Sequence, residues 1–490
     1  MLQTESINQK KKISTPNLFV NLVFAFFPIS FVLGNLLVNV NLLLFCCLGI
    51  FYLRSKILSN EYDFSIKIIF LFFLSVFVST SLSYGKAIYF EGFENVSLDK
   101  LTKSILFFRY FLFLIIAYLL NKFNILNFKY FFLTTTLSVA LVSLDIIYQY
   151  IFGYNILGYK RVDFHHSGFF GNSISAGGYI ERFSFFAILF AFFISKNKNY
   201  TQLILTVIVI CLLGVAIFLS GNRMPFILFL FGLFLVLLSN LKIKKILLIS
   251  VVTLFILIKF ILSSNEQHKI YVYNLYDSFI SNVLDLTNFN SKFGIPYWQT
   301  DYIKSLGKNR GVNYEELVKE EEKTKEEDFG EKAYFYATNP NNQYKRLYST
   351  AIYTWRANKI FGNGIKSFRE DCQKLNISNL TVAEDLYRQC STHPHNYYFE
   401  ILTETGVVGL FIASSIGLLF IFFIFKNFRF FNQLNFENAI LLSSIISLIL
   451  ETMPLRSTGS LFSTNNATYL ILISSIVLSH KTLIKLTSRR

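Results

Sequence analysis

Charge is scarce in this 490-residue chain. Asp, Glu, Lys and Arg supply 16% of it, where a soluble domain carries roughly 25%. Proline is also rare, at 7 residues beside 57 Phe. The deficit excludes a single soluble core. Hydrophobic residues make up 53% of the chain and fall into many separate runs. Those runs approach the ~17–25 residues that cross about 30 Å of hydrocarbon. The first run lacks a small-residue cleavage site, so a retained first span is expected and not a removed signal. No convincing internal repeat is present, which argues against a transporter built from repeats. Histidine is limited to six residues, and no Cys, Asp or Glu cluster near them completes a metal ligand set. No metal or cofactor is expected.

What is present is a set of apolar runs separated by basic or polar connections. Twelve spans are expected near 17–34, 36–53, 68–83, 104–120, 130–152, 183–195, 203–220, 224–240, 246–263, 406–425, 439–453 and 467–480. The net charge is +16. In a soluble protein that excess would suggest nucleic acid. Here Lys and Arg gather in the short even-numbered connections, as at Arg54 and Lys56, Lys122 and Lys129, or Lys242, Lys244 and Lys245. The positive-inside bias then predicts an inner-membrane protein with both termini cytoplasmic and no nucleic-acid partner. The fold class is all-α and polytopic. Residues 1–263 would hold spans 1–9, residues 264–405 a large, mostly helical periplasmic loop domain, and residues 406–490 spans 10–12 with a cytoplasmic tail.

The outward connections carry the polar chemistry. Residues 154–182 are rich in Gly and aromatics and include Arg161 and Arg182. Within the long loop, 315–331 holds nine acidic and three basic residues, which reads most simply as a solvated helix or excursion. Residues 344–360 place Leu347, Ile352 and Trp355 at roughly helical spacing, with Arg346, Arg356 and Lys359 between them. That pattern predicts an amphipathic helix on the outer membrane surface, ended by the glycines of FGNG. Cys46, Cys47 and Cys211 lie inside apolar runs and are expected to pack there. Cys372 and Cys390 share the outward loop, where an oxidising compartment would allow a disulfide.

Three further features are candidates for chemistry. His393 and His395 flank Pro394 in THPHNYYFE. A His at the outer edge of a membrane helix can take a proton near neutral pH. Its i, i+2 spacing across a proline does not suit a metal, and the plainer alternative is a cap for the helix that Asn396 begins. Arg223 sits in LSGNRMPF, at an outward turn between two spans. It reads either as a snorkelling anchor or as a holder of an anion. Arg109 lies inside span 4, where an unpaired charge is costly. Together with Arg346, Arg161 and Arg182, these residues suggest a basic outward pocket just under the headgroups, suited to a lipid phosphate or pyrophosphate.

The order of these features resembles the O-antigen ligase/polymerase superfamily of envelope glycosyltransferases. The resemblance rests on an Arg in a short outward turn and a long outward loop, followed by FGNGIKSF and then HPHNYYFEILTETGVVGLF. Gly362 and Gly364 match the family's Gly-x-Gly turn and His395 and Asn396 its His-Asn. Glu404, Gly406 and Gly409 match its Glu-x-Gly-x-x-Gly. The closing PLRSTGSLF is also similar. The signature spans about 60 residues, and the layout extends over most of the chain.

The resemblance implies transfer of a glycan from an undecaprenyl-pyrophosphate carrier to an acceptor hydroxyl on the periplasmic side, metal-independent and inverting. Lipid A–core is the acceptor for ligases, a second lipid-linked glycan for polymerases, and a protein Ser or Thr for oligosaccharyltransferases. His395, Arg223 and Arg346 would be catalytic. His393, Asn396, Arg161, Arg182 and Arg356 would bind substrate. Membrane lipids complete the expected partners. The length of the long loop tilts the expectation towards a ligase. The rival from another class is a lipid-linked-glycan flippase, since twelve spans with both ends inside is also a transporter layout.

Overall fold

The computed structural model describes residues 15–91, 97–162, 164–195, 199–239, 243–264, 343–374, 388–427 and 436–487, with scattered positions between 266 and 280. The acidic stretch 315–331 and most of the long loop lie outside the described residues, as does Asp163. Among the described residues the regular elements are all helical. Extended pairing is limited to isolated bridges between Tyr154 and Lys160 and between Val162 and His165.

The helices are α1 (Thr15–Ala25), α2 (Phe27–Leu33), α3 (Asn35–Leu53), α4 (Lys56–Ser59), α5 (Phe64–Glu91), α6 (Asp99–Lys122), α7 (Phe128–Phe152), α8 (Ala176–Ile194), α9 (Asn199–Leu219), α10 (Arg223–Ser239) and α11 (Lys244–Ser264). After the long loop come α12 (Gln343–Arg356), α13 (Phe368–Lys374), α14 (Tyr397–Asn427), α15 (Phe436–Glu451) and α16 (Thr464–Thr487). All twelve expected runs are helical over most of their length. Among the described residues eight helices are long and apolar enough to cross a membrane: α3, α5, α6, α7, α8, α9, α11 and α14. The expected first span is two short helices, because Pro28 in the first turn of α2 lacks the N–H that would continue the ladder from α1. Helix α10 is apolar but only 17 residues long, and α15 has 16.

Helix α8 is the most enclosed span, with 78% of its apolar window buried, whereas α14 has 11%. Helices α7, α9, α10 and α15 pack around α8. Helix α6 packs on α3, α5 and α16, and α14 lies along α5. Much of the core is phenylalanine: Phe24, Phe27, Phe45 and Phe113 form a chain of ring contacts with centroids 5.0–6.1 Å apart. Such edge and tilted pairs add to the area that each ring buries.

The connection from α7 to α8 is organised by polar groups buried on α7. Asp145 accepts from Ile156 N at 2.9 Å. Gln149 accepts from Gly168 N at 2.9 Å and donates to Tyr159 O at 3.0 Å. These bonds satisfy loop amides that would otherwise be buried without partners.

The amphipathic segment is a helix, and one face of it docks on the protein. Helix α12 packs on α13 and α14 and buries Leu347, Thr350, Ala351, Tyr353 and Thr354. Trp355 donates its indole N–H to Lys359 O at 2.8 Å. The small and hydroxylated residues Ser349, Thr350 and Ala351 allow this close approach, which the apolar spacing alone does not reveal.

Candidate active site

The Gly-x-Gly turn and the Glu-x-Gly motif meet. Gly406 has φ 67° and ψ −166°, and there α14 breaks. The turn after α12 fills the break: Val407 N donates to Lys359 O at 3.0 Å and Val408 N to Ile360 O at 3.2 Å. In return, Asn363 N donates to Thr403 O at 3.0 Å and Gly364 N to Glu404 O at 2.9 Å. A Cβ on Gly362 would stand 2.5 Å from the Glu404 carbonyl carbon, and one on Gly406 would stand 2.2 Å from Ile360 O. The glycines are therefore needed for two backbones to cross in contact. Glu404 seals the junction by accepting from Lys366 N at 2.6 Å. One turn earlier, Glu400 accepts from Ser460 Oγ at 2.5 Å and Leu461 N at 2.6 Å.

This junction fixes the start of α14. Asn396 caps it, accepting from Tyr398 N at 3.0 Å and Phe399 N at 3.3 Å and donating to Pro454 O at 2.7 Å. The capping alternative thus falls to Asn396 and not to the histidines. The imidazoles of His393 and His395 lie 4.2 Å apart between ring centroids. His393 Nε2 faces Thr458 O at 3.2 Å and its Nδ1 faces Thr392 Oγ1 at 2.9 Å. A carbonyl only accepts, so Nε2 carries the proton and Nδ1 accepts from the threonine. His395 Nε2 makes a long contact to Ser391 Oγ, at 3.4 Å. Its backbone has φ 55°, and its carbonyl accepts from Thr458 N at 2.9 Å. A left-handed non-glycine residue stores strain of about 1–3 kcal/mol, and such outliers gather at functional sites. Burial pushes the His393 pKa down to about 4, with the neighbouring His395 adding to the effect. Burial also lowers the pKa of His395, partly offset by the Thr458 carbonyl. Both rings are therefore neutral near pH 7 and able to accept a proton.

Beside this pair opens a cavity of about 980 Å³. Arg182, Arg223, Arg456 and His165 line it, with aromatic walls that include Tyr344 and Tyr348 of α12. Arg182 was a binding candidate from sequence. It is instead committed to the wall: Nε and Nη2 donate to the two Glu451 oxygens at 2.9 and 2.6 Å, and Nη2 also donates to Asn466 Oδ1 at 2.6 Å. Arg456 pairs with Glu181 and Glu451, each at 3.1 Å. Two arginines and two glutamates cancel. Arg223, at the first turn of α10, has no carboxylate partner among the described residues. Among the described residues it is the lining arginine without a carboxylate beside it.

The remaining expected residues divide. His393, His395 and Arg346 do not line the cavity. Arg346 projects from α12 towards Arg388 O at 3.3 Å. Both Arg346 and His395 therefore touch the 388–391 segment. Thr458 contacts the histidine pair while its neighbours Ser457 and Gly459 line the cavity, so a single strand of chain separates the two. Arg161 lies outside, against the Phe164 ring at 5.5 Å, and Arg356 lies against Tyr353 at 5.3 Å. Arg109 stays within α6, donating to Tyr110 OH at 2.8 Å. Cys372 and Cys390 form a disulfide with Cα atoms 5.7 Å apart. It ties α13 to the segment that carries His393 and His395.

A family model described as O-antigen ligase matches residues 206–414. That range holds the Arg223 turn, the long loop, the crossed glycine junction and the histidine pair. Over those residues the chain is similar to the O-antigen ligase family. No curated protein compared with the chain matches it. The match includes the glycine junction but ends before Glu451 and Arg456. The sequence reading missed their network, and missed His165 as a cavity residue. The available signal for the network was charge inside apolar runs: Glu181 and Arg182 precede the run expected to begin at 183, and Glu451 sits within the run at 439–453.

Proposed function

We propose that the chain is an O-antigen ligase-type glycosyltransferase, working at the periplasmic face of the inner membrane with both termini cytoplasmic. It moves a glycan from undecaprenyl pyrophosphate to an acceptor hydroxyl, that of lipid A–core. The observation that carries the reading is Arg223. It is a guanidinium without a carboxylate partner among the described residues, in a cavity whose other two arginines are neutralised. Such a group suits a pyrophosphate, which accepts paired N–H bonds. As the anomeric carbon–oxygen bond breaks, negative charge grows on the departing diphosphate, and a fixed cation stabilises that charge most in the transition state. Arg346, on the helix that forms one wall, adds a second guanidinium when the donor is bound.

His395 takes the proton of the acceptor hydroxyl as its oxygen forms the new bond to the anomeric carbon. The leaving electron pair stays on undecaprenyl pyrophosphate. Direct displacement inverts the anomeric centre. The depressed pKa keeps the imidazole in its proton-accepting form. On this reading the 457–459 segment moves aside on substrate entry and exposes the His395 ring. His393 is the scaffold of the pair. The test uses cells lacking the native gene and supplied with variants. His395→Ala and Arg223→Ala should insert normally, leave the envelope glycolipid uncapped and accumulate carrier-linked glycan. Normal capping by the His395 variant would end the proposal. Short single-unit chains in the deletion strain would point to a polymerase.

A further inference from the structure

The turn that presents Arg223 is held from outside its own helices. Gly221, with φ 75°, ends α9, and the Asn222 carbonyl starts α10 by accepting from Phe226 N at 3.4 Å. The last carbonyls of a helix find no amide within it. At this end of α9 two consecutive residues of the α7–α8 connection meet them. His166 Nδ1 donates to Leu219 O at 2.8 Å and His165 Nδ1 donates to Ser220 O at 3.2 Å. A carbonyl only accepts, so each Nδ1 carries a proton. The approach is close: a Cβ on Gly221 would stand 2.4 Å from His165 Nδ1. Helix α8 closes the other flank. A Cβ on Gly177 would stand 2.2 Å from Ser220 Oγ and 2.9 Å from Asn222 Nδ2.

The histidines are themselves fixed. His165 exchanges backbone bonds with Val162, at 2.8 and 3.2 Å. His166 is fully buried, with its ring edge-on to Tyr150 of α7 and the centroids 5.4 Å apart. Two residues further on, Gly168 O accepts from Asn155 Nδ2 at 2.8 Å. Asn155 is buried as well, and its Nδ2 also donates to Asp145 Oδ2 of α7 at 3.3 Å. Hydrogen bonds thus lead from α7 through the connection to the end of α9, three and four residues before Arg223. His165, Gly221, Asn222 and Arg223 all line the same cavity.

We propose that His165 and His166 are positioning residues for the donor. They clamp the Ser220–Arg223 turn, so that the Arg223 guanidinium stays where the diphosphate enters. Paired N–H bonds to phosphate oxygens depend on orientation as well as distance, so a turn that drifts weakens them without any loss of charge. The histidines act through Arg223 and not on the reacting atoms. The diphosphate in this statement rests on the transfer reading; the clamp itself does not.

The test is a double-mutant cycle on the purified full chain. Two quantities are read: affinity for undecaprenyl pyrophosphate by native mass spectrometry, and amide hydrogen exchange over residues 219–226. His166→Phe keeps a ring and removes the donor, whereas His166→Asn returns an N–H near the Nδ1 position. His165→Phe and His165→Asn repeat the comparison at the less buried ring, where folding is least at risk. Each Phe variant should speed exchange over 219–226 and weaken undecaprenyl pyrophosphate binding about two- to tenfold, the worth of one hydrogen bond. Each Asn variant should recover most of both. In an Arg223→Ala background the Phe variants should weaken binding no further, because coupled residues are not additive. Binding of lipid A–core should be unchanged throughout. Unchanged exchange in both Phe variants overturns the clamp. An equal loss of affinity in the Arg223→Ala background, or a parallel loss of lipid A–core binding, overturns the positioning role in favour of a merely structural one. Faster exchange with recovery by Asn, in a chain whose undecaprenyl pyrophosphate affinity does not depend on Arg223, would uphold the clamp and fail the donor reading instead.

Discussion

Replacing Gly406 by alanine tests the crossed backbone on which the site is built. With φ 67° and ψ −166°, Gly406 occupies a region essentially closed to other residues. Holding alanine there costs about 1–3 kcal/mol. The new methyl would also stand 2.2 Å from Ile360 O, well inside contact distance. The obstacle is main chain, so the turn itself must retreat. That endangers the bonds from Val407 N to Lys359 O and Val408 N to Ile360 O. Each is worth roughly 0.5–1.5 kcal/mol net. The sum is about 2–6 kcal/mol. The assay is the thermal unfolding midpoint of detergent-purified protein, read beside Gly417→Ala. Gly417 is on the same helix with nothing within 4 Å of its Cβ position, so alanine there should be neutral or slightly stabilising. Gly406→Ala should lower the midpoint by several degrees and lose transfer. Equal midpoints for the two variants would refute the reasoning.

Other outcomes follow from the same contacts. Glu451→Gln leaves Arg182 and Arg456 short of a buried counter-charge and should cost about 3 kcal/mol, measured by thermal or denaturant unfolding; an unchanged midpoint would contradict the network. The histidine pair makes stability depend on pH. With folded pKa values below the ordinary 6.5, its contribution is complete above that value and is lost as pH falls from 6.5 towards about 4. A pH series of unfolding midpoints should therefore decline across that window, and His393→Gln should flatten it. Cys372→Ser opens a link between residues 18 apart, which the chain-entropy model values at about 3 kcal/mol. Its midpoint should fall to that of the reduced wild type, and reductant should have no further effect on it.

Periodicity and charge placement made the helices legible, since an apolar run of span length has few alternatives. They did not reveal where runs break. Pro28 divides the first run into two helices. In the site, the turn glycines, Arg223 and the Cys372–Cys390 pair could be picked out because their residue types have narrow uses. The partners of arginines could not. Arg182 and Arg223 look alike in sequence, and Glu451, 269 positions away, decides which of them stays charged towards the cavity. The helical spacing of α12 was visible, but its docking face was not, because that face is built from Ser349, Thr350, Ala351 and Thr354, which apolar periodicity does not register.

The most direct measurement places the purified chain in vesicles with an undecaprenyl-pyrophosphate-linked glycan and lipid A–core. Both lipids and their products are then followed over time. The account predicts that carrier-linked glycan is consumed, with equal amounts of capped acceptor and free undecaprenyl pyrophosphate formed and with no added metal required. Appearance of intact carrier-linked glycan in the opposite leaflet, with no new glycolipid, would contradict it.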